Sequence, residues 1–324
     1  MSAAIILAAL ASSPAAQPQT IRIWGPPAMA AIVQHWAETY RATHPEMSFE
    51  LVMKGSDTAV PGLYSVRADI GLMGRLNDEV DDNGFSRPLG YPLTRIAITS
   101  GSLTSPGKSD AVALLVPRAN PVSGINLRDL GRILDCGADA AKIPYRTWGD
   151  LGVKGRWANK PIHIYTYDMG SRTGAFIQHA ATAGRRRMCW ERITEFADTR
   201  RLDGTLENSA DRIGAAARRD PFALAIANPE QAVGGLRLVA VSRDRDQPFI
   251  LPNEGSVTDG SYPLARQTYA FIRHKPGSPI DPKVRSFLEY VLSPAGQSLL
   301  AADRGYLPLD PKIAVSSRAA LETP

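Results

Sequence analysis

The chain is poor in the residues that mark several classes of protein. Its 324 residues include only two cysteines, Cys136 and Cys189, and five histidines. The cysteines are far apart in the chain and neither belongs to a C-x-x-C pair, so the pattern argues against a zinc site. Hydrophobic residues make up 44% of the chain and charged residues 21%, which indicates an ordinary globular protein rather than a disordered or fibrous one.

Long hydrophobic runs are also scarce. Beyond the first residues, no apolar run approaches the roughly 18 residues that a membrane span requires. Residues 1–16 combine an apolar stretch with the small-residue ending SSPAA, which is typical of a secretory signal, although no Lys or Arg precedes the stretch. A late start or a frayed terminus is the alternative. We expect a signal peptide over residues 1–16 and a soluble, periplasmic mature protein.

The same cysteines can be interpreted in two ways in an exported chain. In an oxidising compartment Cys136 and Cys189 are candidates for a disulfide. The alternative is that both are small apolar side chains in the core.

The charge distribution gives little support for a nucleic-acid partner. The formal net charge is +5, but acidic residues are interspersed among the basic ones and only residues 185–187 form a basic run. A net positive charge is also compatible with a protein that attracts small anions. We therefore predict no nucleic-acid partner.

Catalytic patterns are missing as well. The histidines form no recognisable arrangement with a serine or a metal ligand, and Ser171 with His179 lacks a third orienting group and a G-x-S-x-G elbow. The acidic pair Asp81 and Asp82 is expected in a solvated loop. We predict no catalytic residue, no metal and no cofactor.

Strand and helix patterns alternate in the first part of the chain. Residues 20–24 are predicted to form a strand that ends in a Gly-Pro-Pro turn, and an amphipathic helix follows, with Pro27 in its first turn. Further strands are predicted at residues 48–53 and 68–73. Alternation of this kind is typical of an α/β fold, in which ligands bind beyond the carboxyl ends of the strands.

The pattern restarts at residues 111–116, which indicates a second lobe. Asn126 is a predicted helix N-cap, residues 162–167, 223–226 and 236–241 are predicted strands, and a polar, loop-like stretch over 244–262 returns the chain to the first lobe. A strand at 267–272, helices starting near Pro282 and Pro294, and a polar tail after residue 309 complete the prediction. The domains are then lobe I over 20–110 and 245–324, and lobe II over 111–244.

Two short segments have the composition of anion-binding turns. Residues 55–58 read GSDT and residues 170–173 read GSRT, each at the predicted start of a helix. Unpaired backbone N–H groups and the positive end of the helix dipole face such a turn, and Ser and Thr hydroxyls donate further hydrogen bonds to anion oxygens. Taken singly, each segment is a weak signal, because Ser or Thr at a strand-to-helix turn is more often a plain N-cap. Their occurrence in both predicted lobes favours a binding function.

Four ordered segments make the chain resemble a known family. They are residues 120–127 (NPVSGINL), 147–152 (TWGDLG), 262–266 (YPLAR) and 287–297 (FLEYVLSPAGQ). With them, the chain resembles the PstS-type phosphate-binding proteins of ABC importers from about Ile21 to Leu309. The resemblance implies a two-lobed α/β periplasmic-binding-protein fold, in which each lobe is a mixed sheet flanked by helices, two crossovers form a hinge, and the ligand is enclosed between the lobes.

The resemblance also implies binding residues, and the chain departs from several of them. Ser56, Ser171 and Thr173 match the family's phosphate-binding hydroxyls, and the backbone over residues 27–29 matches its first anion-binding loop. Gly-Pro-Pro replaces the hydroxyl residue of that loop. Arg172 stands where the family has a glycine, Gly74 where it has an acidic acceptor and Tyr167 where it has an arginine.

Those departures bear on the choice of anion. A carboxylate accepts a hydrogen bond from a protonated phosphate, so its loss would relax selectivity among oxyanions. Arg75 and Arg172 could supply the missing guanidinium or be exposed surface residues. The predicted ligand-binding residues are Ala28, Met29, Ser56, Asp57, Arg75, Tyr167, Gly170, Ser171, Arg172 and Thr173.

The resulting prediction is a monomeric, exported solute-binding protein. It would capture inorganic phosphate in the cleft between its lobes and deliver it to an ABC permease in the inner membrane. The alternatives are a binder of another oxyanion or of a phosphate ester, a signalling or adhesion relative that does not transport and, last, a phosphate-ester hydrolase.

Overall fold

The computed structural model describes residues 19–103, 105, 108–137, 143–182, 188–303 and 305–322. The predicted signal peptide and the basic run at 185–187 lie outside the described residues. The strands are β1 Gln19–Gly25, β2 Met47–Met53, β3 Ile70–Met73, β4 Thr94–Thr99, β5 Ala113–Pro117, β6 Gly124–Asn126, β7 His163–Tyr167, β8 Ile193–Phe196, β9 Thr199–Arg200, β10 Leu206–Glu207, β11 Ala223–Ala227, β12 Leu236–Ser242 and β13 Thr268–Ile272. The α-helices are α1 Ala30–Arg41, α2 Ala59–Tyr64, α3 Glu79–Leu89, α4 Leu127–Leu134, α5 Arg172–Thr182, α6 Ser209–Arg219, α7 Glu254–Thr258, α8 Pro282–Val291, α9 Pro294–Asp303 and α10 Pro311–Glu322.

The first sheet has the order β2-β1-β3-β13-β4. Strands β2 and β3 run parallel to β1, whereas β13 is antiparallel to both β3 and β4. Ile21 and Ile23 of β1 are buried, and helix α1 covers them with its own apolar face, on which Trp36 is 1% exposed. The indole Nε1 of Trp36 donates to Gly296 O at 2.7 Å, which ties α1 to α9.

The second sheet has the order β6-β12-β5-β11-β7-β8 and is also mixed. Strands β5 and β11 are antiparallel, while β11, β7 and β8 are parallel to one another. The central strands consist of continuous apolar runs, and every residue of β11 is buried, as expected for strands covered on both faces. The carboxyl ends of β7, β8 and β11 therefore meet at one edge of this sheet.

Two crossovers connect the sheets. The chain passes from β4 in the first sheet to β5 in the second, and returns from β12 to β13. The two crossing segments lie side by side, because Val112 N donates to Leu264 O at 3.1 Å and the Tyr262 hydroxyl donates to Val112 O at 2.8 Å. This arrangement of two mixed sheets joined by two crossovers agrees with the predicted fold class. The predicted domain boundaries at residues 110 and 244 stay a prediction.

Three local predictions were wrong. The polar tail after residue 309 contains helix α10, which buries Ala314, Ser317 and Leu321 on one face. These are mostly small side chains, so the apolar stripe is weak in the sequence. The loop-like stretch over 244–262 includes helix α7, and Asp81 and Asp82 lie in helix α3 rather than in a loop. Among the described helices, none is both long and apolar enough to cross a membrane.

Candidate ligand-binding cleft

A cleft of about 480 Å³ lies between the two sheets. Its walls come from the carboxyl-terminal ends of strands in both sheets and from the crossing segments, which is where an open α/β sheet binds ligands. The lining residues are Pro26, Pro27, Ala28, Gly55, Ser56, Gly74, Arg75, Ser109, Asp110, Tyr167, Asp168, Ser171, Arg172, Thr173, Phe196, Ala197, Asp198, Asn208, Ser209, Ala210, Asn228, Arg266 and Tyr306.

Two helical turns at the ends of β1 and β2 form the wall on the side of the first sheet. After β1, Met29 N donates to Pro26 O and Ala30 N to Pro27 O, so the Ala28 amide is left at the cleft without an intrahelical acceptor. After β2, Gly55 has a φ of 132°, a conformation that favours glycine, and its N–H donates to Gly25 O. These bonds hold the two turns side by side.

Ser56 begins the second of these turns and is 7% exposed. Its Oγ accepts a long hydrogen bond of 3.5 Å from Gly74 N, which uses a lone pair and leaves the hydroxyl proton for a ligand. The first sheet therefore contributes a hydroxyl donor and first-turn amides to the cleft.

The start of helix α5 forms the wall on the other side. Ser171 Oγ donates to Asp168 O and accepts from Gly174 N at 3.1 Å, so this hydroxyl caps the helix. Thr173 Oγ1 accepts from Arg266 Nη1 at 3.2 Å and keeps its proton. The N–H groups of Arg172 and Thr173 are first-turn donors. A small anion would meet these donors and the positive end of the α5 dipole.

Arg266 is a binding candidate that the sequence analysis did not select, although it belongs to the YPLAR segment. It lies between the sheets: besides its bond to Thr173, its Nη2 is 3.5 Å from Gly74 O, and its guanidinium carbon lies 5.4 Å from the centre of the Phe176 ring. Burial lowers the pKa of Arg266, and the nearby Asp110 carboxylate partly opposes this effect. A desolvated guanidinium in a cleft wall is well suited to pair with an oxyanion.

The two arginines that were predicted as possible ligand contacts are already paired. Arg75 forms salt bridges with Asp57, at 3.3 Å, and with Asp78 and Asp81 of the α3 cap. Arg172 forms an ion pair with Asp57. Asp57 lies next to Ser56 and Arg172 next to Ser171, so this pair joins the two walls of the cleft.

Gly74 occupies the position where the family resemblance led us to expect an acidic residue. A Cβ added to Gly74 would clash with Ser109 Oγ, which donates to Gly74 O at 2.8 Å. The crossing segment thus fills the space that a side chain at residue 74 would need. The next residue, Asp110, lines the cleft, so the lining includes an acidic residue from the crossing segment.

The cleft contains seven of the ten predicted ligand residues: Ala28, Ser56, Arg75, Tyr167, Ser171, Arg172 and Thr173. Met29 does not line it, because its side chain is fully buried and its N–H donates to Pro26 O. Asp57 and Gly170 also lie outside the lining, next to residues that form it. Burial raises the pKa of Tyr167, whose hydroxyl accepts from Asn228 N–H. These placements leave the ligand roles as predictions.

Besides Arg266, the lining residues from the crossing segments and from the ends of β8 and β11 were not predicted from the sequence. They carry no local motif. A general rule would have indicated some of them, since residues just beyond parallel strands gather at one edge of a sheet.

The two cysteines are close together but are not joined. Both are free thiols, and Cys189 N donates to Leu134 O at 2.8 Å. Burial raises the pKa of the Cys189 thiol, and a hydrogen bond with Cys136 raises it further. The predicted disulfide therefore stays a prediction.

The fold and the cleft together define a class of protein: a two-lobed binding protein with a cleft between two mixed α/β sheets. A family model described as PBP superfamily domain matches residues 11–295. The chain belongs to this superfamily of solute-binding proteins and is not an enzyme.

Individual relatives agree with this assignment. The chain is 29% identical over 295 residues to the phosphate-binding protein PstS of Pseudomonas aeruginosa, covering 90% of this chain and 83% of that protein. It is 26% identical over 246 residues to protein SphX of Synechococcus elongatus, covering 73% and 65% of the two chains.

Solved structures show the same fold. PstS from Borrelia burgdorferi superposes with a TM-score of 0.61 at 14% identity, covering 90% of this chain and 99% of that one. An ABC-type phosphate transport receptor from Vibrio cholerae superposes with a TM-score of 0.56 at 18% identity, covering 89% and 99%.

Proposed function

We propose that this chain captures inorganic phosphate in the cleft and delivers it to an ABC importer. The observation that carries the proposal is that hydroxyl donors and first-turn amides from both sheets converge on one cleft that also contains Arg266. The similarity to PstS and to phosphate transport receptors supports phosphate as the anion.

The proposed recognition uses groups with different roles. Ser56 and Thr173 donate hydroxyl protons, while Ala28, Arg172 and Thr173 donate backbone N–H groups. Arg266 supplies the charge-assisted hydrogen bonds, and such bonds are about twice as strong as neutral ones. Ser171 holds the turn in shape, because its own hydroxyl proton is used by Asp168 O. Closure of the lobes around the anion would then present a surface to the permease.

The direct test is calorimetry on the purified mature chain with phosphate and, separately, with sulfate. We expect saturable phosphate binding that is lost in the Ser171→Ala, Thr173→Ala double variant. A matched control replaces two exposed helix serines away from the cleft, Ser298→Ala and Ser316→Ala, and should bind like wild type. Absence of phosphate binding by the folded wild-type chain would refute the proposal.

Export is the second part of the proposal. Expression of the full chain in a Gram-negative host, followed by fractionation and N-terminal sequencing, should yield a periplasmic protein that starts after residue 16. A cytoplasmic protein with its complete N-terminus would contradict the proposal of export. It would not affect the proposal of anion binding.

A further inference from the structure

The charged side chains that line the cleft are balanced between the two signs. They are three arginines and three aspartates, namely Arg75, Arg172, Arg266, Asp110, Asp168 and Asp198. Within the described part of the chain, no lysine, glutamate or histidine belongs to the lining. A cleft that attracts doubly charged anions would be expected to carry an excess of cations. The formal net charge of +5 of the whole chain is therefore not concentrated in this cleft.

Two of the three arginines are already compensated by carboxylates. Arg75 Nη2 lies 3.3 Å from Asp57 Oδ1, Arg75 Nη1 lies 3.6 Å from Asp78 Oδ2, and Asp81 forms a further salt bridge with the same guanidinium. Arg172 pairs with Asp57 from the other wall. Two guanidinium groups thus face three carboxylates, which leaves no net positive charge for a ligand at this side of the cleft.

Arg266 is the remaining arginine, and the segment that carries Asp110 lies next to it. Ser109 Oγ and Arg266 Nη2 both donate to Gly74 O, at 2.8 Å and 3.5 Å. A Cβ added to Gly101 would meet Arg266 O at 2.5 Å and Ser109 O at 2.6 Å, so the two backbones are also close. Burial lowers the pKa of Arg266, and the Asp110 carboxylate acts against this shift. The charge of Arg266 is therefore shared between Asp110 and a ligand.

The other donors of the cleft are neutral. The hydroxyls of Ser56 and Thr173 and the first-turn amides carry no formal charge. Burial, followed by the charge of Asp110, raises the pKa of Tyr167, so this hydroxyl stays protonated at neutral pH. A charge that is partly removed from water is costly unless an opposite charge compensates it. A second negative charge on the ligand would have no cation of its own among these groups.

We infer that the cleft prefers oxyanions with a single negative charge, and that Asp110 sets this preference by compensating Arg266. For phosphate, the preferred form is then the singly charged dihydrogen phosphate rather than the doubly charged hydrogen phosphate. This inference rests on the proposed function, because it concerns the same anion site. It adds the charge state of the ligand that the site selects.

A pH series must separate titration of the ligand from titration of the protein. The lining has no histidine, but two glutamates outside it are close enough to matter. Burial raises the pKa of Glu195 and of Glu230, and the charges of Asp168 and Asp110, respectively, raise them further. Two probes whose charge is constant between pH 6 and pH 8 therefore accompany phosphate. Hypophosphite is singly charged throughout, and monofluorophosphate, which has nearly the shape of phosphate, is doubly charged throughout.

Calorimetry at pH 6 and pH 8 measures the preference. We expect the apparent phosphate affinity to fall at least about five-fold between the two, since binding that requires one ligand proton weakens by up to roughly ten-fold per pH unit above the pKa of the ligand. Hypophosphite should bind equally at both pH values. At pH 6, phosphate should bind at least about five-fold more tightly than monofluorophosphate, because like charges at contact distance repel even in water.

Asp110→Asn tests the assigned residue. It should reduce the fall in phosphate affinity to less than about two-fold, because Arg266 then has its full charge available for a dianion. Asp203→Asn is the matched control and should keep the full fall, since Asp203 is an exposed carboxylate of the β9–β10 hairpin outside the lining.

The outcomes distinguish this inference from the proposed function. Phosphate binding that is equal or tighter at pH 8 would overturn the inference and leave phosphate capture standing. A parallel fall for hypophosphite would assign the pH dependence to the protein and would also overturn it, as would an unchanged fall in folded Asp110→Asn. Absence of phosphate binding at both pH values would remove the proposed function and this inference together.

Discussion

The turns GSDT (residues 55–58) and GSRT (residues 170–173) differ at one position in sequence, but their side chains have different roles in the structure. In the first, Ser56 lines the cleft with its hydroxyl proton unused. In the second, Ser171 uses its hydroxyl to cap helix α5, and Thr173 provides the donor instead. The residues that follow the two serines, Asp57 and Arg172, have opposite charges and pair across the cleft. Two turns of similar composition therefore differ in the roles of their side chains: Ser56 and Thr173 are ligand donors, and Ser171 caps a helix. The Asp57–Arg172 pair connects the walls.

The largest expected effect is a change in the stability of the lobe that carries the second turn, residues 170–173. Oxidation that joins Cys136 to Cys189 should raise the free energy of unfolding by about 4 kcal/mol, as estimated for a closed loop of roughly 50 residues. The bond would tie the end of α4 to the segment before β8, away from the Ser171 turn. We therefore expect the Kd for phosphate to change less than about two-fold. Chemical denaturation of oxidised and reduced protein measures the difference.

The Cys136→Ser, Cys189→Ser variant is the control for the cysteine prediction and should not respond to the oxidant. A marked change of phosphate affinity on oxidation would show that the second turn is sensitive to a constraint between the end of α4 and the segment before β8. The two turns would then differ in rigidity as well as in chemistry.

Arg266 contacts both walls, so replacing it should affect both turns at once. We expect Arg266→Met to weaken phosphate binding by about a hundred-fold, because truncating one partner of a buried charge pair costs roughly 2–5 kcal/mol. The phosphate affinity of Arg266→Lys should lie between those of Arg266→Met and the wild type, since an ammonium keeps the charge but cannot form the two parallel hydrogen bonds of a guanidinium. Calorimetry gives the affinities. A phosphate Kd for the folded Met variant within about three-fold of wild type would exclude Arg266 from the site.

The sequence predicted the alternation of strands and helices, the two turns and seven lining residues, because these depend on local periodicity and composition. It did not predict the partners of Arg75, since Asp57 and Asp81 come from other elements and meet it only through the fold. Arg266 was missed for a similar reason, because nothing in the local sequence indicates that a basic residue before a strand will be buried. Helix α10 was missed because small residues make up most of its buried face.

The two serines provide the next comparison. Ser56→Ala should weaken phosphate binding by about five-fold with little change in thermal stability, because it removes one ligand hydrogen bond. Ser171→Ala should lower the stability of the ligand-free chain by about 1 kcal/mol through loss of a helix cap, in addition to any effect on binding. Thermal unfolding without ligand, followed by calorimetry, separates the two effects. Equal losses of stability in the two variants would contradict the division of roles.

The smallest expected effect on phosphate binding comes from the Asp57–Arg172 ion pair between the turns. Exposed pairs contribute about 0–1 kcal/mol, and both side chains here are largely exposed, at 70% for Asp57 and 41% for Arg172. If the pair holds the walls together, Asp57→Asn should weaken phosphate binding by about two-fold at low salt and have no effect in 1 M salt.

Simple electrostatics predicts the opposite sign for Asp57→Asn, because removing a carboxylate near a bound anion should strengthen binding. Asp78→Asn is the matched control, since Asp78 also faces Arg75, at 3.6 Å, but does not pair with Arg172. Weaker binding in Asp57→Asn and unchanged binding in Asp78→Asn would assign the effect to contact between the walls. Tighter binding in both would mean that the two carboxylates act only through their charge, and that the oppositely charged residues of the turns do not cooperate in closing the cleft.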